Sequence, residues 1–286
     1  SADKHQNVLL PGYTHLQIAM PSSFGMWFSA YAETLIDDIT MLNAALKIVD
    51  QNPLGSAAGY GSSFPINRTF TTEELGFETL KFNSVAAQMS RGKSEKTVAF
   101  AMSSVAATLS KFAMDVCLYM SQNFDFISLP AHLTTGSSIM PHKKNPDVFE
   151  LIRGKCNKIQ ALPYEITLVT NNLPSGYHRD LQLLKEGLFP AIQNLKACLD
   201  IAIFSIKDIK VKDNILADKK YNYLFTVDTL NEMVVAGIPF RDAYKAVAEQ
   251  LENGSFQSPK ETKHTHEGSI NNLCLEAIKE KMKRSY

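Results

Sequence analysis

The residues best suited to chemistry lie in one loop, residues 134–146, which reads TTGSSIMPHKKNP. The loop contains hydroxyl groups, such as that of Ser137, and ammonium groups, such as that of Lys143. It also contains glycine and proline, which determine the backbone conformation. Gly136 permits dihedral angles that other residues avoid, whereas Pro141 restricts its surroundings. The spacing therefore predicts a mobile lid with a flexible entry and a stiff exit.

The end of this loop predicts the start of a helix. Asn145 stands where an N-cap belongs, Pro146 at the first helical position and Asp147 in the first turn. The free N–H groups of such a helix start can face an anion, and the lysines can receive negative charge that builds up on a substrate. The alternative, for the loop taken alone, is a capped surface loop with two solvated lysines.

Composition narrows the classes of partner. The 286 residues contain 29 Lys plus Arg and 29 Asp plus Glu, which gives a formal net charge of +0. Such a chain has no global field that would recruit nucleic acid or an anionic membrane. A small-molecule partner is expected, with no nucleic acid and no membrane.

The cysteines and the hydropathy pattern bear on location. Cys117, Cys156, Cys198 and Cys274 lie far apart, without a CxxC pair, so the sequence supports neither a zinc site nor a disulfide framework. No uninterrupted apolar run approaches the roughly 20 residues of a membrane span, and residues 1–6 are polar. We expect a cytoplasmic protein.

The elements that must position the loop are long helices. Apolar positions from Trp27 to Leu46 recur every three or four residues, so they predict a helix over 23–50 with one apolar stripe that faces a core. Further helices are predicted over 93–122, 146–170 and 179–209, with a kink at Pro190. The predicted fold is all-α: a long-helix central bundle over 1–210, which carries the loop, and a smaller C-terminal helical domain over 211–286, with almost no strand.

Three separated motifs carry a family resemblance. Residues 136–146 are similar to the pattern GSSxMPxKxNP of the fumarase and aspartase superfamily, and residues 11–17 (PGYTHLQ) resemble a second block of it. Residues 174–182 (PSGYHRDLQ) are typical of its argininosuccinate lyase family, as are 54–58, 143–147 and 237–241. The similarity runs along essentially the whole chain in the same order.

This resemblance implies a function and an assembly. The family cleaves argininosuccinate to arginine and fumarate by β-elimination, without a metal or organic cofactor, at sites built where subunits of a homotetramer meet. It also has an N-terminal domain, preceding the position of Ser1, that carries further substrate contacts.

The resemblance assigns catalytic roles to four residues. Ser137 takes the proton from carbon, which is possible if a nearby ammonium such as Lys143, backbone N–H donors and exclusion of water stabilise its alkoxide. His15 and its partner Glu150 act on the leaving-group side or through water, since a carboxylate fixes the tautomer of an imidazole. Each alone has a plainer alternative: a turn serine, a structural histidine and a first-turn acid.

Substrate contacts implied by the resemblance are Thr14, Asn145, Tyr177, Gln182 and Lys185. Gln182 and Lys185 are three residues apart and share one helical face, while the apolar residues Leu181, Leu184 and Leu188 occupy another. The polar face can point into a cleft or be an ordinary solvated face.

The sequence departs from the family pattern beside these positions, with His142, Gly176, His178 and Arg179 where Gln, Thr, Asn and Lys are frequent. These departures leave the reaction class intact and put pocket detail in question. Alternatives to the implied function are another fumarate-releasing lyase, such as adenylosuccinate lyase, and a non-catalytic helical oligomer, crystallin-like or truncated.

Overall fold

The structure, a computed structural model, describes residues 1–259 and 262–285. Its α-helices within these residues are α1 (Phe24–Val49), α2 (Arg68–Glu74), α3 (Ser84–Met89), α4 (Lys93–Met120), α5 (Asp147–Gln160), α6 (Leu162–Val169), α7 (Leu184–Ile206), α8 (Thr226–Val235), α9 (Phe240–Glu252) and α10 (Leu275–Lys283). The predicted all-α class is confirmed.

Short strands accompany the helices. Strands β1 (Leu9–Thr14) and β2 (Gln17–Ser23) form an antiparallel hairpin, β3 (Gln51–Asn52) pairs with β4 (Thr79–Leu80), and β5 (Ile127–Ser128) pairs with β6 (Lys210–Val211). The hairpin is the element that the sequence reading missed, because its two-residue connection, His15-Leu16, has none of the Asn-Gly chemistry that marks such turns.

The helix α1 begins and ends within one residue of its predicted bounds. Its predicted apolar stripe is only partly buried: Trp27 is 8% exposed, whereas Leu42 and Leu46 are 36% and 57% exposed. The expectation that the whole stripe faces a core was therefore wrong within this chain. The C-terminal half of α1 keeps its apolar side chains on the surface.

The predicted long helix over 93–122 is confirmed as α4, whereas the predicted helix over 146–170 is two helices. Helix α5 ends at Gln160 and α6 begins at Leu162, followed by Pro163. Proline cannot donate the hydrogen bond that a continuous helix requires at that position. Pro163 therefore accounts for the break. Helix α7 runs through Pro190 without interruption, and the kink predicted there stays a prediction.

The chain forms two compact units, and the larger one comprises Thr34–Leu118 and Pro130–Asp208 together with residue 285. Its core is built where α5 and α6 pack on α7. The first turns of α5 and α7 supply buried side chains to this core: Phe149 is 0% exposed and Leu184 is 3% exposed. In the same unit α1 is tied to α4, because the Ser104 hydroxyl donates a hydrogen bond to the buried Asp38 carboxylate.

The other unit comprises Ser1–Glu33, Tyr119–Leu129 and Ile209–Arg284. An aromatic cluster that includes Trp27, Tyr119, Phe124 and Phe126 packs beside the hairpin, and α8 packs on α9. These units follow contacts within the chain, whereas the predicted domains 1–210 and 211–286 follow the change to a Lys-rich sequence with shorter helical patterns after Ile209. The predicted division stays a prediction.

Two helical stretches, Lys93–Met120 and Arg179–Ile206, are long and apolar enough to cross a membrane by length and composition. Half of the apolar window of Lys93–Met120 is buried inside the protein, as expected for a core helix. The four cysteines are free, and Cys156 and Cys198 are buried. Burial raises the pKa of the Cys156 thiol to about 12.

Candidate active site

The loop that carries Ser137 is closed at its base by main-chain hydrogen bonds. The Thr135 N–H donates to the Asn145 carbonyl at 3.2 Å, and the Asn145 N–H donates to the Thr135 carbonyl at 2.8 Å. The Thr135 hydroxyl also donates to the Asp147 carboxylate in the first turn of α5. The intervening residues, 136–144, therefore form a loop with fixed ends, which we call the Ser137 loop.

Within the Ser137 loop, the Ser137 hydroxyl oxygen accepts two main-chain hydrogen bonds. The donors are the N–H groups of Ile139, at 3.3 Å, and Met140, at 3.1 Å. Hydrogen bonds to an oxygen stabilise its anionic form relative to its protonated form. This arrangement supplies the backbone donors that an alkoxide at Ser137 requires.

The lysines of the Ser137 loop extend into solvent. Lys143 is exposed, and its main-chain N–H donates to the Met140 carbonyl at 3.0 Å. Among the residues that the structure describes, no carboxylate pairs with the ammonium group of Lys143. Its charge is therefore available to an anionic ligand.

Asn145 does not cap helix α5 as predicted. Pro146 occupies the N-cap position, and Asp147 is the first helical residue. The Asn145 side chain instead reaches back to the Thr135 hydroxyl and the Gly136 carbonyl, both at 3.4 Å. The Asn145 side chain therefore stabilises the start of the loop. It does not cap the helix, because Pro146 occupies the N-cap and Asn145 lies one residue too early to reach the first free N–H groups.

Glu150 lies in the first turn of α5 and is exposed. It is close enough to Cys117 in α4 for its charge to add to burial in raising the pKa of that thiol, while Arg153 opposes the shift. Glu150 belongs to the larger unit and His15 to the other, so the His15–Glu150 pair stays a prediction.

His15 occupies the tip of the β1–β2 hairpin, directly after Thr14. The dihedral φ is +53° at His15 and +58° at Leu16, so both residues adopt the left-handed conformation. Thr14 pairs with Gln17 across this turn, which we call the His15 turn. Residues other than glycine pay for this conformation, and such strain clusters at functional sites. Thr14 and His15 are both exposed.

The hairpin is held from the side by Tyr13. Its hydroxyl lies 3.2 Å from that of Tyr221, and its ring packs on Phe124. Burial, followed by the hydrogen bond with Tyr221, raises the pKa of Tyr13. The residue before Thr14 and His15 is therefore a neutral, fixed anchor over the ordinary pH range.

The remaining predicted contacts lie in residues 173–182, which we call the Tyr177 arm, and at the start of α7. The Gln182 amide donates to the Tyr177 hydroxyl at 2.6 Å, so the structure brings these two residues together. Gln182 belongs to a 3-10 turn, Arg179–Gln182, rather than to the predicted continuous helix, while Lys185 is exposed in the first turn of α7. The apolar face predicted there is confirmed: Leu181, Leu184 and Leu188 are buried.

Sequence reasoning missed the contact that fixes the Tyr177 arm. The Arg91 guanidinium pairs with Glu95 at 2.8 Å and donates to the Leu181 carbonyl at 3.1 Å. The second Glu95 oxygen accepts the N–H of Gly92, whose φ is +81°. The available signal was an arginine four residues before a glutamate, with a glycine between them, at the start of a long helix.

Comparisons with known proteins decide the family. The family model described as lyase matches residues 1–161, a stretch that contains the hairpin, the Ser137 loop and Glu150. The chain belongs to the lyase family.

Relatives of this lyase-family chain include two bacterial argininosuccinate lyases. That of Parabacteroides distasonis is 61% identical over 97% of this chain and 62% of its own length. That of Bacteroides fragilis is 58% identical over 99% of this chain and 64% of its own length. The chain thus spans about 62–64% of the length of the curated relatives it matches.

Solved structures share the fold of this lyase-family chain at low identity. A variant of EDDS lyase with bound fumarate superposes with a TM-score of 0.81 at 20% identity, over 99% of this chain and 64% of that one. A class II fumarase from Schistosoma mansoni gives 0.74 at 18%, over 100% and 63%. The superfamily fold predicted from the three motifs is confirmed.

Proposed function

We propose that this chain belongs to an argininosuccinate lyase, which splits argininosuccinate into arginine and fumarate. The observation that carries the proposal is the Ser137 hydroxyl oxygen, which accepts two main-chain N–H groups inside the stretch matched by the lyase family. Identities of 58–61% to argininosuccinate lyases support the choice of substrate.

The reaction first requires a base at carbon. Removing a proton next to a carboxylate places additional negative charge on that carboxylate, so a cation and N–H donors must face it. In our proposal Ser137, as its alkoxide, takes the proton, while the unpaired ammonium of Lys143 and the amide of Asn145 face the carboxylate. The electron pair of the broken C–H bond forms the double bond of fumarate, and the carbon–nitrogen bond breaks.

The departing nitrogen needs a proton as it leaves. We assign that side to His15, which acts on the leaving nitrogen directly or through water. Glu150 fixes the tautomer of the imidazole. Strain in the His15 turn supports this assignment, because backbone strain of this kind clusters at functional sites. Thr14 lies next to it and is proposed to contact the substrate.

The far end of the substrate is assigned to Tyr177, Gln182 and Lys185. Tyr177 and Gln182 are already joined by a hydrogen bond, and Lys185 adds a positive charge at the start of α7. These groups suit the amino-acid end of argininosuccinate, which carries a carboxylate. The proposed site uses side chains of the protein and no metal or organic cofactor.

We further propose that the protein is a cytoplasmic homotetramer with active sites shared between subunits. Large apolar side chains remain exposed on three long helices: Leu46 on α1, Met114 on α4, and Phe189 and Phe204 on α7. Large apolar side chains that long helices leave exposed favour association with other chains. Partner helices packed on these faces would cover them.

Fumarate absorbance tests the proposed reaction. The chain is mixed with argininosuccinate, adenylosuccinate, aspartate or malate, both alone and joined behind the preceding segment of the Parabacteroides distasonis relative. We expect fumarate from argininosuccinate only. Release from adenylosuccinate would transfer the proposal to the sister reaction. Release from none of the four by either form would favour a non-catalytic helical oligomer.

A further inference from the structure

A cavity of about 470 Å³ lies between the start of α4, the end of α6 and the Tyr177 arm. We call it the lysine cavity. It is lined by fourteen residues, which include Met89, Arg91, Lys93, Lys96, Phe100 and Leu181. None of the nine residues predicted for the active site is among them.

The charge of this lining has one sign. It contains one arginine, two lysines and one histidine, and no aspartate or glutamate. Arg91 is neutralised by Glu95 and its guanidinium is further used on the Leu181 carbonyl. Lys93 and Lys96 have no carboxylate partner in the part of the chain that the structure describes. A concave surface with unpaired charge of one sign attracts small ions of the opposite sign.

The spacing of the two lysines favours a ligand with two anionic ends. Lys93 and Lys96 are three residues apart in α4, so their Cβ atoms lie about 5–6 Å apart on one face. The N–H groups of this helix start are largely used already: that of Gly92 donates to Glu95 and that of Lys96 to the Gly92 carbonyl. The lysine side chains must therefore carry the recognition.

Apolar side chains complete the lining and select an organic anion. Met89, Phe100, Leu173, Pro174 and Leu181 lie between and beside the charged groups. A carbon chain that joins two carboxylates would cover them, whereas inorganic phosphate would leave them against water.

We propose that the lysine cavity is a binding site for a small organic dicarboxylate, with the ammonium groups of Lys93 and Lys96 on its two carboxylates. Gly176 and His178 flank Tyr177, and Leu181 precedes Gln182. A dicarboxylate in the cavity would therefore contact the Tyr177 arm next to Tyr177 and Gln182. Its binding would couple to the positions of these two residues, which we assign to substrate binding.

Methyl NMR of the intact chain tests this site directly. Met89 is the last residue of α3 and lines the cavity, whereas Met114 lies in α4, outside the cavity. With ¹³C-methyl-methionine labelling, the resonances are assigned through Met89→Leu and Met114→Leu. Succinate is titrated at constant ionic strength, with chloride as the balancing anion. We expect a saturable shift of the Met89 methyl and none of Met114. A Met89 shift that never saturates, or none at all, overturns the proposal.

Matched variants locate the charge that binds. Lys93→Gln/Lys96→Gln should weaken succinate binding at least 10-fold, whereas Lys111→Gln/Lys158→Gln removes two exposed lysines outside the cavity and should leave it unchanged. Circular dichroism verifies that each variant is folded. Equal binding by the cavity variant and the wild type would refute the assignment.

Two further experiments distinguish this site from the Ser137 loop and from a site for inorganic phosphate. Lys143→Gln removes the ammonium of the Ser137 loop and should leave the Met89 titration unchanged; loss of the Met89 shift would assign the succinate to that loop instead. Inorganic phosphate should bind at least 10-fold more weakly than succinate. Equal affinity would overturn the choice of an organic dicarboxylate.

Discussion

The His15 turn and the Ser137 loop are both closed by paired main-chain groups, yet they hold their functional side chains in opposite ways. The turn has two residues between its paired strands, both in the left-handed conformation, and Tyr13 anchors it from the side. The loop has a far longer span between Thr135 and Asn145, and its lysines reach into solvent. One segment is rigid at the cost of strain, and the other is anchored only at its base.

This difference suggests a division of labour between the two proposed halves of the reaction. A group that exchanges a proton with a leaving nitrogen benefits from a fixed direction. A base that must be created by excluding water benefits from a segment that can close over the substrate. The following tests either break this contrast or sharpen it.

The largest effect is expected for Ser137→Ala. Loss of the proposed base should reduce fumarate release by up to about 10,000-fold. Stability should change by less than about 0.5 kcal/mol, because the hydroxyl accepts hydrogen bonds only within an exposed loop. Steady-state kinetics and thermal unfolding measure the two quantities. Ser138→Ala is the matched control, and equal losses for both variants would contradict the assignment.

The second effect concerns the imidazole of the rigid turn. His15→Asn should reduce turnover by about 100-fold, while asparagine tolerates the left-handed conformation. Steady-state kinetics and the melting temperature are recorded together. Unchanged turnover would remove His15 from the chemistry, and a large loss of stability would indicate that the turn itself had failed.

Much of what positions these segments was predictable from local patterns. Helix α4 was predictable because no proline or glycine interrupts its apolar periodicity, and its predicted start at Lys93 agrees with the structure. The buried leucines at the start of α7 followed from the same rule. The Ser137 loop was predictable because the sequence of residues 136–146 matches the whole of a family motif.

Other features depend on contacts that no local pattern encodes. The His15 turn carries residues that ordinarily avoid its conformation, so propensity pointed away from a hairpin. The Arg91 contact with the Leu181 carbonyl joins residues 90 positions apart. The exposure of Leu46 on α1 depends on what covers that face, and amphipathic periodicity does not specify whether the cover comes from the same chain.

A third, smaller effect is the pH dependence of stability that Tyr13, the anchor of the His15 turn, contributes. Tyr13 has a raised pKa in the folded protein, so above pH 10 the unfolded chain loses a proton that the folded chain retains. Stability should therefore fall as pH rises above 10. Tyr13→Phe should cost about 1 kcal/mol at neutral pH, through the lost hydrogen bond with Tyr221, and should reduce the alkaline decline.

Chemical denaturation between pH 7 and pH 11 measures this behaviour. Tyr60→Phe, which alters an exposed tyrosine in the other unit, is the control and should leave the curve unchanged. An alkaline decline that is the same in Tyr13→Phe and the wild type would show that Tyr13 does not anchor the hairpin.

The smallest effect tests the strain itself. Leu16→Gly should stabilise the protein by a few tenths of a kcal/mol, because relief of about 1 kcal/mol of left-handed strain exceeds the entropy that glycine adds to the unfolded chain. Ile139→Gly in the Ser137 loop, where φ is not positive, should destabilise by a similar amount. Differential scanning calorimetry compares them, and the same sign for both variants would erase the contrast.

Gly92 lets a residue outside both segments act on the proposed site. A Cβ atom at this position would lie 2.5 Å from the Thr170 methyl group, and the backbone there has a φ of +81°. Any side chain would push the end of α6 away from the start of α4, and with it the support beneath Leu181. A larger residue at Gly92 should therefore weaken the proposed substrate contacts of the Tyr177 arm, although the altered atom touches no substrate.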